Sequence, residues 1–303
     1  MKTVALAGGV GGAKLADGLA QLLPPQDLTV VVNTGDDWEH LGLAISPDLD
    51  TVCYTLAGLA NPETGWGRAG ETFQMLAALR TLGGPDWFGL GDSDLATHLE
   101  RTRRLKAGAS LSQVTSDFCR AWGVAWTVLP MSDQPVHTLV DTVEHGELPF
   151  QEYFVLRRCE PRVRGFRFAG LEAAVPAPGV LEALQAAEAV VFCPSNPWVS
   201  IDPILALPGV RAALRGRPVV AVSPILGGQT VKGPAAKMYA ELGIQPSAAA
   251  VARHYADLLS AFVIDQVDAD LAGEIGTRAV VTRTLMKTRA DRRRLAQDVL
   301  NCI

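Results

Sequence analysis

Four glycines near the start of the chain form the pattern in this sequence best suited to hold a phosphate group. The glycines are Gly8, Gly9, Gly11 and Gly12. They follow the apolar run TVALA and precede leucines at helical spacing, which predicts a buried strand, a tight turn and a helix N-terminus. Such a turn lets backbone N–H groups approach an anion, and the helix end adds a partial positive charge.

The glycine turn does not identify the nucleotide that it would bind. A strand-to-helix turn without any ligand has the same pattern. The chain lacks GxGxxG, and Lys14 is followed by Leu15 rather than by the Ser or Thr of a P-loop. The turn therefore indicates nucleotide phosphates in general and disfavours an NAD-dependent oxidoreductase.

Carboxylate and amide side chains follow the second predicted strand, LTVVV, and are the next candidates for chemistry. Asn33, Asp36 and Asp37 lie in NTGDD, and Asp48 and Asp50 lie in SPDLDT, just ahead of a helical pattern. Ligands of open α/β sheets bind beyond the carboxyl ends of the strands, so these residues should share an edge with the glycine turn. Because Mg²⁺ prefers oxygen ligands, we predict Asp48 and Asp50 as metal ligands. A polar turn and ordinary helix capping are the alternatives.

Polar or flexible residues also follow two later predicted strands. Ser195 and Asn196 come after the run AVVFC, and a loop with Gly228, Lys232 and Gly233 follows the next strand. Lys232 and Gly233 are candidates for a second anion contact, because a helix begins directly after them. A loop lysine in solvent is the alternative for Lys232.

The elements that must hold these residues alternate between strands and helices. A strand, a helix and a second strand within about 30 residues form a βαβ unit, which favours a parallel sheet with a right-handed crossover. We expect an α/β protein with a Rossmann-like three-layer fold, a mainly parallel central sheet and a single domain over residues 1–303.

Residues 65–123 are mainly helical in pattern, and we expect them to form an insertion that covers the carboxyl-end rim of the sheet. Five large aromatic residues lie in or beside this stretch. They are Trp66, Trp87, Phe88, Trp122 and Trp126. Core packing is the default for such rings, but they can also cover a planar ligand.

Hydrophobic periodicity predicts the remaining elements. Strands are expected near residues 124–129, 137–143, 152–158, 162–170, 189–193, 217–222, 261–264 and 278–281. Helices are expected near residues 71–82, 95–106, 111–123, 180–187 and 288–303. The segments at 137–143 and 152–158 are predicted to flank a turn at HGELP, and the α/β alternation resumes after residue 180.

Composition excludes several classes of protein. The formal net charge of -5 gives no argument for nucleic-acid binding, and no run of about 18 apolar residues predicts a membrane span. The chain runs directly into a strand without a signal-peptide pattern, and its five scattered cysteines form no CxxC pair. We expect a cytoplasmic protein with reduced thiols and small-molecule substrates, and neither a nucleic-acid nor a membrane partner.

Six motifs together resemble one enzyme family. They are GGVGGAKL, NTGDD, SPDLDT, GDSDLATHLERT, PSNPWVSI and SPILGGQTVKGP, in this order. Over about residues 1–285 the sequence is similar to the 2-phospho-L-lactate transferases of coenzyme F420 biosynthesis. The resemblance implies a Mg²⁺-dependent homodimer that transfers a phospholactyl or phosphoenolpyruvyl group from a guanosine diphosphate-linked donor. The implied acceptor is the ribityl hydroxyl of 7,8-didemethyl-8-hydroxy-5-deazariboflavin (Fo), and GMP is released.

The resemblance also implies roles for individual residues. Asp50 matches a position associated with deazaflavin binding, and Asp48 and Asp50 are the expected catalytic residues, one of them as general base. Five later residues match loops expected near the guanosine diphosphate. They are Ser195, Asn196, Gly228, Lys232 and Gly233.

One position departs from the family pattern. Ser93 stands where relatives usually carry a basic residue that is linked to the deazaflavin site. Either Arg101, Arg103 or Arg104 compensates from the following helix, or acceptor binding is altered.

A second class of function fits the same glycine turn. The more distant gluconeogenesis-factor-like proteins share the fold and bind nucleotide-sugar-type ligands. A non-catalytic nucleotide or nucleotide-sugar binding regulator is therefore the alternative. The Asp48 and Asp50 pair and the aromatic residues favour the enzyme, with lactyl, enolpyruvyl and glyceryl donors left open.

Overall fold

The computed structural model describes all 303 residues as an α/β protein. Its strands are β1 (Thr3–Ala7), β2 (Leu28–Val32), β3 (Trp38–His40), β4 (Leu43–Ile45), β5 (Thr127–Pro130), β6 (His137–Thr142), β7 (Gly146–Pro149), β8 (Val163–Ala169), β9 (Ala189–Phe192), β10 (Val219–Val222), β11 (Ile225–Leu226), β12 (Gln229–Thr230), β13 (Ala261–Asp265) and β14 (Arg278–Thr282). Its α-helices are α1 (Gly9–Ala20), α2 (Pro47–Leu56), α3 (Gln74–Thr81), α4 (Asp92–Lys106), α5 (Leu111–Ala121), α6 (Val180–Ala186), α7 (Asp202–Ala206), α8 (Val210–Leu214), α9 (Ala235–Glu241), α10 (Ala248–His254) and α11 (Arg289–Leu300). None of the helices has the length and apolarity needed to span a membrane.

Seven strands form the central sheet, in the order β14-β13-β10-β9-β1-β2-β5. Every pair in it is parallel. The α/β class and the parallel central sheet predicted from the sequence are therefore confirmed. Since the strands run the same way, the segments that follow β1, β2, β9 and β10 all emerge at one edge of the sheet.

Both faces of the central sheet are covered, which explains the continuous apolar runs of its strands. All five residues of β1 are buried, and they alternate between the two faces. Val4 and Leu6 pack in the core cluster on one face, together with residues of α6, α8 and α10. Ala5 and Ala7 pack in the cluster on the other face, together with residues of α1, α2 and α11. The result is three layers.

Residues 65–123 hold α3, α4 and α5 and no strand. They connect α2 to β5, the strand at one edge of the central sheet. α4 begins at Asp92, three residues before the predicted start, because Gly91 and the acidic residues Asp92 and Asp94 form its N-terminal turn. The division of the chain into one domain with an insertion stays a prediction.

The prediction of a strand at residues 152–158 is wrong. Glu152–Leu156 is a π-helix, and the predicted turn at HGELP holds the strand β7 instead. β6 pairs with β7 on one side and β8 on the other, so residues 152–158 are not its hairpin partner. The rings of Phe150 and Phe154 stack at 5.3 Å, a four-residue spacing that belongs to a helix rather than to a strand.

Candidate active site

A cavity of about 700 Å³ lies at the carboxyl edge of the central sheet, a size that suits a nucleotide-sized ligand. Ten of the residues predicted for the site line it. They are Gly8, Gly9, Gly11, Asp36, Asp48, Asp50, Ser195, Asn196, Lys232 and Gly233. Five predicted residues lie outside its wall. They are Gly12, Asn33, Asp37, Ser93 and Gly228.

The glycine turn is packed too closely for larger residues. A Cβ on Gly8 would lie 2.6 Å from an Asp48 oxygen, and one on Gly11 would lie 2.3 Å from the Pro194 carbonyl oxygen. Ser195 Oγ accepts a hydrogen bond from the Gly8 N–H at 3.1 Å and donates one to the Gly8 carbonyl at 2.7 Å. Gly12 has a packing role, since a Cβ there would lie 2.7 Å from Ser195 Oγ. The turn is thus held by the loop that follows β9.

Asp48 lies beneath the glycine turn and is buried. Its Oδ1 accepts the Gly9 N–H at 2.6 Å, and its Oδ2 accepts Asn33 Nδ2 at 2.9 Å. Burial raises the pKa of Asp48 to about 6, although both hydrogen bonds oppose that rise. Asn33 also donates to the Val199 carbonyl at 3.1 Å, so it acts from behind the cavity wall by fixing Asp48.

A second buried carboxylate belongs to the same part of the cavity. Asp36 lines the wall, and its Oδ1 has no hydrogen-bond partner. Burial, and then the neighbouring charge of Asp48, raise the pKa of Asp36 well above its ordinary value. A divalent cation would offset both the burial of these carboxylates and the repulsion between them. Asp36 and Asp48 therefore fit Mg²⁺ by the chemistry of their oxygens. Asp37 lies outside the cavity and accepts a 2.6 Å hydrogen bond from Ser46.

Asp50 has different partners from Asp48, although the two residues are only two positions apart. The Arg101 guanidinium, on α4, binds both of its oxygens, with Nη1 to Oδ2 at 3.0 Å and Nη2 to Oδ1. Burial opposes the charge of Arg101, but the Asp50 carboxylate outweighs it and holds the pKa of Arg101 above its ordinary value. Asp50, Asp94 and His98 offer ligand atoms within 4.8 Å of one another. Because Arg101 already neutralises Asp50, this cluster is a weaker cation site than Asp36 and Asp48.

Two lysines give the other side of the glycine turn a positive charge. Lys232 Nζ donates to the Thr64 carbonyl, and Lys14 Nζ donates to the Met286 carbonyl at 3.0 Å. Burial, and then the charges of Arg292 and Lys232, lower the pKa of Lys14. Both lysines and Gly233 line the cavity, so an anion there would meet two cations beside a helix N-terminus.

The loops that follow β9 and β10 contribute unequally to the cavity wall. Asn196 lines the cavity, and its Oδ1 accepts the Trp198 N–H at 3.1 Å at the start of a second π-helix, Pro197–Ile201. Gly228 turns the β11–β12 hairpin with a φ of 75°, a conformation that favours glycine. Gly228 therefore shapes the loop that carries Lys232 rather than the cavity wall.

The aromatic residues of the insertion separate into two groups. Trp66 and Phe88 line the cavity, and Trp87 packs with Phe88 and Trp38 beside it. The other two are half-buried and pack against the core. Trp122 and Trp126 pack against the apolar cluster on the α1 face, and Trp126 Nε1 donates to the Leu23 carbonyl at 3.0 Å.

No arginine of α4 supplies a free cation in place of the basic residue missing at Ser93. Ser93 is exposed, and its N–H donates to Glu71. Arg101 is paired with Asp50, Arg103 with Glu100 and Arg104 with Asp117, and none of the three lines the cavity. Compensation from these arginines is therefore absent from this structure.

The family described as 2-phospho-L-lactate transferase CofD matches residues 3–301 of the chain. The chain belongs to this family of transferases. It is therefore an enzyme, which confirms the prediction from the sequence, and the alternative of a non-catalytic regulator is not supported.

Curated relatives agree with the family over nearly the full length of the transferase. A phosphoenolpyruvate transferase of Streptomyces griseus is 49% identical over 300 residues, which covers 96% of this chain and 94% of the relative. A 2-phospho-L-lactate transferase of Methanosarcina mazei is 41% identical over 300 residues, which covers 98% of this chain and 99% of the relative. A solved structure of a UPF0052-family protein from Bacillus halodurans has a TM-score of 0.64 at 16% identity, covering 99% of this chain and all of that one, and it supports the fold alone.

Several residues that shape the transferase cavity were not predicted as site residues. Lys14 carries a readable signal, because it follows the last glycine of the turn by two positions and so faces the same helix end. Asp94, His98 and Arg101 are spaced four and three residues apart in GDSDLATHLERT, which places them on one face of a helix. No sequence pattern marks Phe154 as a site residue, because the residues around it are typical of a strand rather than of the π-helix that they form.

Proposed function

We propose that this enzyme transfers a phosphoenolpyruvyl or 2-phospholactyl group from a guanosine diphosphate-linked donor to the ribityl hydroxyl of the deazaflavin Fo, releasing GMP, in coenzyme F420 biosynthesis. The observation that carries the proposal is one cavity, in a chain of this family, that joins a glycine turn, two lysines and buried carboxylates. Relatives named phosphoenolpyruvate transferase are more similar than those named 2-phospho-L-lactate transferase, so we favour the enolpyruvyl donor.

The donor diphosphate is proposed to bind at the N-terminus of α1. The first four N–H groups of a helix have no acceptor within it. Those of Gly8 and Gly9 are taken by Ser195 and Asp48, which leaves Val10 and Gly11 for a ligand. Both line the cavity. Lys14 and Lys232 add the charge that a diphosphate requires.

Asp36 and Asp48 are the residues we propose to hold Mg²⁺. Bound there, the ion would neutralise charge on the transferred phosphoryl group and on the leaving phosphate. Our sequence prediction named Asp48 and Asp50 instead, and Asp48 is common to both. Asp50 is proposed to act on the acceptor, because it faces the insertion side of the cavity.

The reaction is a displacement at phosphorus, in which positioning and charge stabilisation matter more than covalent catalysis. The ribityl oxygen forms a bond to the phosphorus of the transferred group, and the bond from that phosphorus to the GMP oxygen breaks. The hydroxyl proton passes to the Asp50 carboxylate, which acts as general base. Phe88 and Trp66 are proposed to contact the deazaflavin ring.

A mixing assay tests the proposal. Purified protein is combined with Mg²⁺, Fo and each guanylylated donor in turn, and GMP is followed by chromatography. We expect GMP and a phosphodiester product, in larger amount with the enolpyruvyl donor. Donor binding without GMP release from any acyl donor would contradict the transfer reaction.

The assembly and location of the enzyme complete the proposal. We propose a homodimer in the cytoplasm, on the support of the family resemblance. Sedimentation velocity at several protein concentrations tests the dimer, since a single species of one chain's mass would contradict it.

A further inference from the structure

We infer that Arg101, which lies outside the cavity, is a positioning residue that holds the Asp50 carboxylate in its working orientation. The inference rests on the proposed role of Asp50. Asp50 lines the cavity and Arg101 does not, so Arg101 acts on the reaction through the carboxylate with which it pairs. Both side chains are buried, with Asp50 6% and Arg101 3% exposed.

The geometry of the pair restricts the carboxylate. Each Asp50 oxygen accepts a hydrogen bond from a different guanidinium nitrogen, which is the bidentate arrangement that fixes the carboxylate plane. A lysine ammonium can donate from one point only and would leave rotation about the last side-chain bond of Asp50 possible. The arrangement is therefore specific to arginine.

The guanidinium is itself fixed by neighbouring contacts. Arg101 Nη1 lies 3.2 Å from His98 Nδ1, and Arg101 Nη1 also donates to the Ala44 carbonyl at 3.4 Å. The next residue, Thr102, accepts the Ala44 N–H at 2.8 Å through its Oγ1. α4 is thereby attached to β4, directly ahead of the helix that carries Asp50.

Tyr54 ties the two helices together at a second point. Its hydroxyl lies 2.7 Å from Asp94 Oδ1 and 2.8 Å from Thr97 Oγ1, both on α4, while Tyr54 belongs to α2 with Asp50. The insertion helix is thus held to β4 through Arg101 and Thr102, and to α2 through Tyr54 as well as through Asp50. A change confined to Arg101 should therefore alter the carboxylate before it alters the packing of the helices.

Kinetics of four variants test the inference. They are Arg101→Met, Arg101→Lys, Asp50→Asn and the double variant Arg101→Met with Asp50→Asn. Loss of a group that orients a reacting residue typically costs about 10- to 100-fold in activity. We expect that loss in kcat for Arg101→Met, with the KM of the donor within about twofold, and partial recovery in Arg101→Lys. The double variant should be no slower than Asp50→Asn, because the two residues act as one unit.

Arg103→Gln is the matched control. Arg103 lies on the same helix, and its exposed ion pair with Glu100 does not reach Asp50, so wild-type kinetics are expected. Wild-type turnover in Arg101→Met, or a double variant slower by the product of the two single losses, would overturn the inference. If Arg101→Met does not fold, full turnover in Arg101→Lys overturns it and a loss in kcat alone supports it. Failure of the wild type to release GMP would count against the proposed function instead.

Discussion

The two walls of the cavity are built from different parts of the chain. The wall at the sheet edge consists of backbone and short side chains, such as Gly8, Gly11 and Ser195, placed by parallel strand pairing. The wall from the insertion consists of longer side chains, such as Asp94 and His98, that project from one helix. The first wall suits a phosphate, which binds backbone N–H groups, and the second suits proton transfer and ring contacts.

The two walls also differ in how their positions are determined. At the sheet edge, contacts are so close that a single Cβ would collide with backbone, so the geometry follows from the fold itself. On the insertion side, the position of Asp50 depends on a pair with Arg101, 51 residues away along the chain. Variants that affect one wall only can therefore test whether the walls have separate tasks.

The largest effect is expected from Asp50→Asn, where the two walls meet. The amide cannot accept the hydroxyl proton, so turnover should fall by about 100- to 10,000-fold while the KM of the donor stays near its wild-type value. Steady-state GMP release measures both constants. Circular dichroism should show an unchanged fold, because the amide has nearly the same shape.

Asp257→Asn is the control for this substitution. Asp257 is exposed, pairs with Arg211 and does not line the cavity, so no loss of turnover is expected. Full activity in Asp50→Asn would show that Asp50 is not part of the mechanism. It would also contradict a separate task in proton transfer for the insertion wall.

The sheet-edge wall was largely predictable from the sequence. Buried parallel strands are continuous apolar runs, and polar residues at their carboxyl ends must share an edge. The runs TVALA and LTVVV are β1 and β2 with their predicted bounds. The glycines and Ser195 could therefore be assigned to one site from local pattern alone.

The insertion wall was less predictable, because its geometry depends on contacts between distant residues. Asp48 and Asp50 look equivalent in SPDLDT, yet one binds Asn33 and the other binds Arg101. Successive residues of a helix point about 100° apart, so two carboxylates at this spacing point to different sides. Which partner each carboxylate meets depends on residues distant along the chain, Asn33 after β2 for Asp48 and Arg101 on α4 for Asp50.

The second effect concerns Asp48 and the pH dependence of stability. Its pKa is about 6 in the folded protein and 3.8 by its ordinary value, so between these values the folded state keeps a proton that the unfolded state releases. Stability should therefore fall as pH rises from 4 to 6, by up to about 3 kcal/mol for this one group. In Asp48→Asn, the free energy of unfolding should fall less between pH 4 and 6, because this group no longer titrates. Urea unfolding at pH 4, 5, 6 and 7 with EDTA measures it.

Addition of Mg²⁺ gives a second comparison of the wild type with Asp48→Asn. Above pH 6 both Asp36 and Asp48 must be charged to bind the ion, and binding should raise the melting temperature of the wild type. Asp48→Asn should gain less, because only one carboxylate of the pair is left. Equal gains with Mg²⁺ would contradict a cation site at the sheet-edge wall, and identical pH profiles would contradict the raised pKa of Asp48.

A third, smaller effect is expected from Gly11→Ala. Alanine is the better helix former by about 1 kcal/mol, but its Cβ would lie 2.3 Å from the Pro194 carbonyl oxygen. Since backbone cannot yield as a side chain can, we expect a net loss of about 1–3 kcal/mol in the free energy of unfolding and a higher KM for the donor only. Gly165→Ala, with no atom within 4 Å of its Cβ, should be neutral or stabilising. A rise in the acceptor KM would contradict separate walls.

The smallest effects distinguish the two groups of aromatic residues. Phe88→Leu removes a ring from the insertion wall and should raise the KM for the deazaflavin by about 3- to 10-fold, the cost of about one aromatic contact. Trp126→Phe removes the hydrogen bond to the Leu23 carbonyl together with part of the indole ring, and should cost at least about 1 kcal/mol of stability. Because Trp126 packs against the core and does not line the cavity, its variant should keep the wild-type KM for both substrates. A KM change in Trp126→Phe without one in Phe88→Leu would mean that the acceptor binds elsewhere.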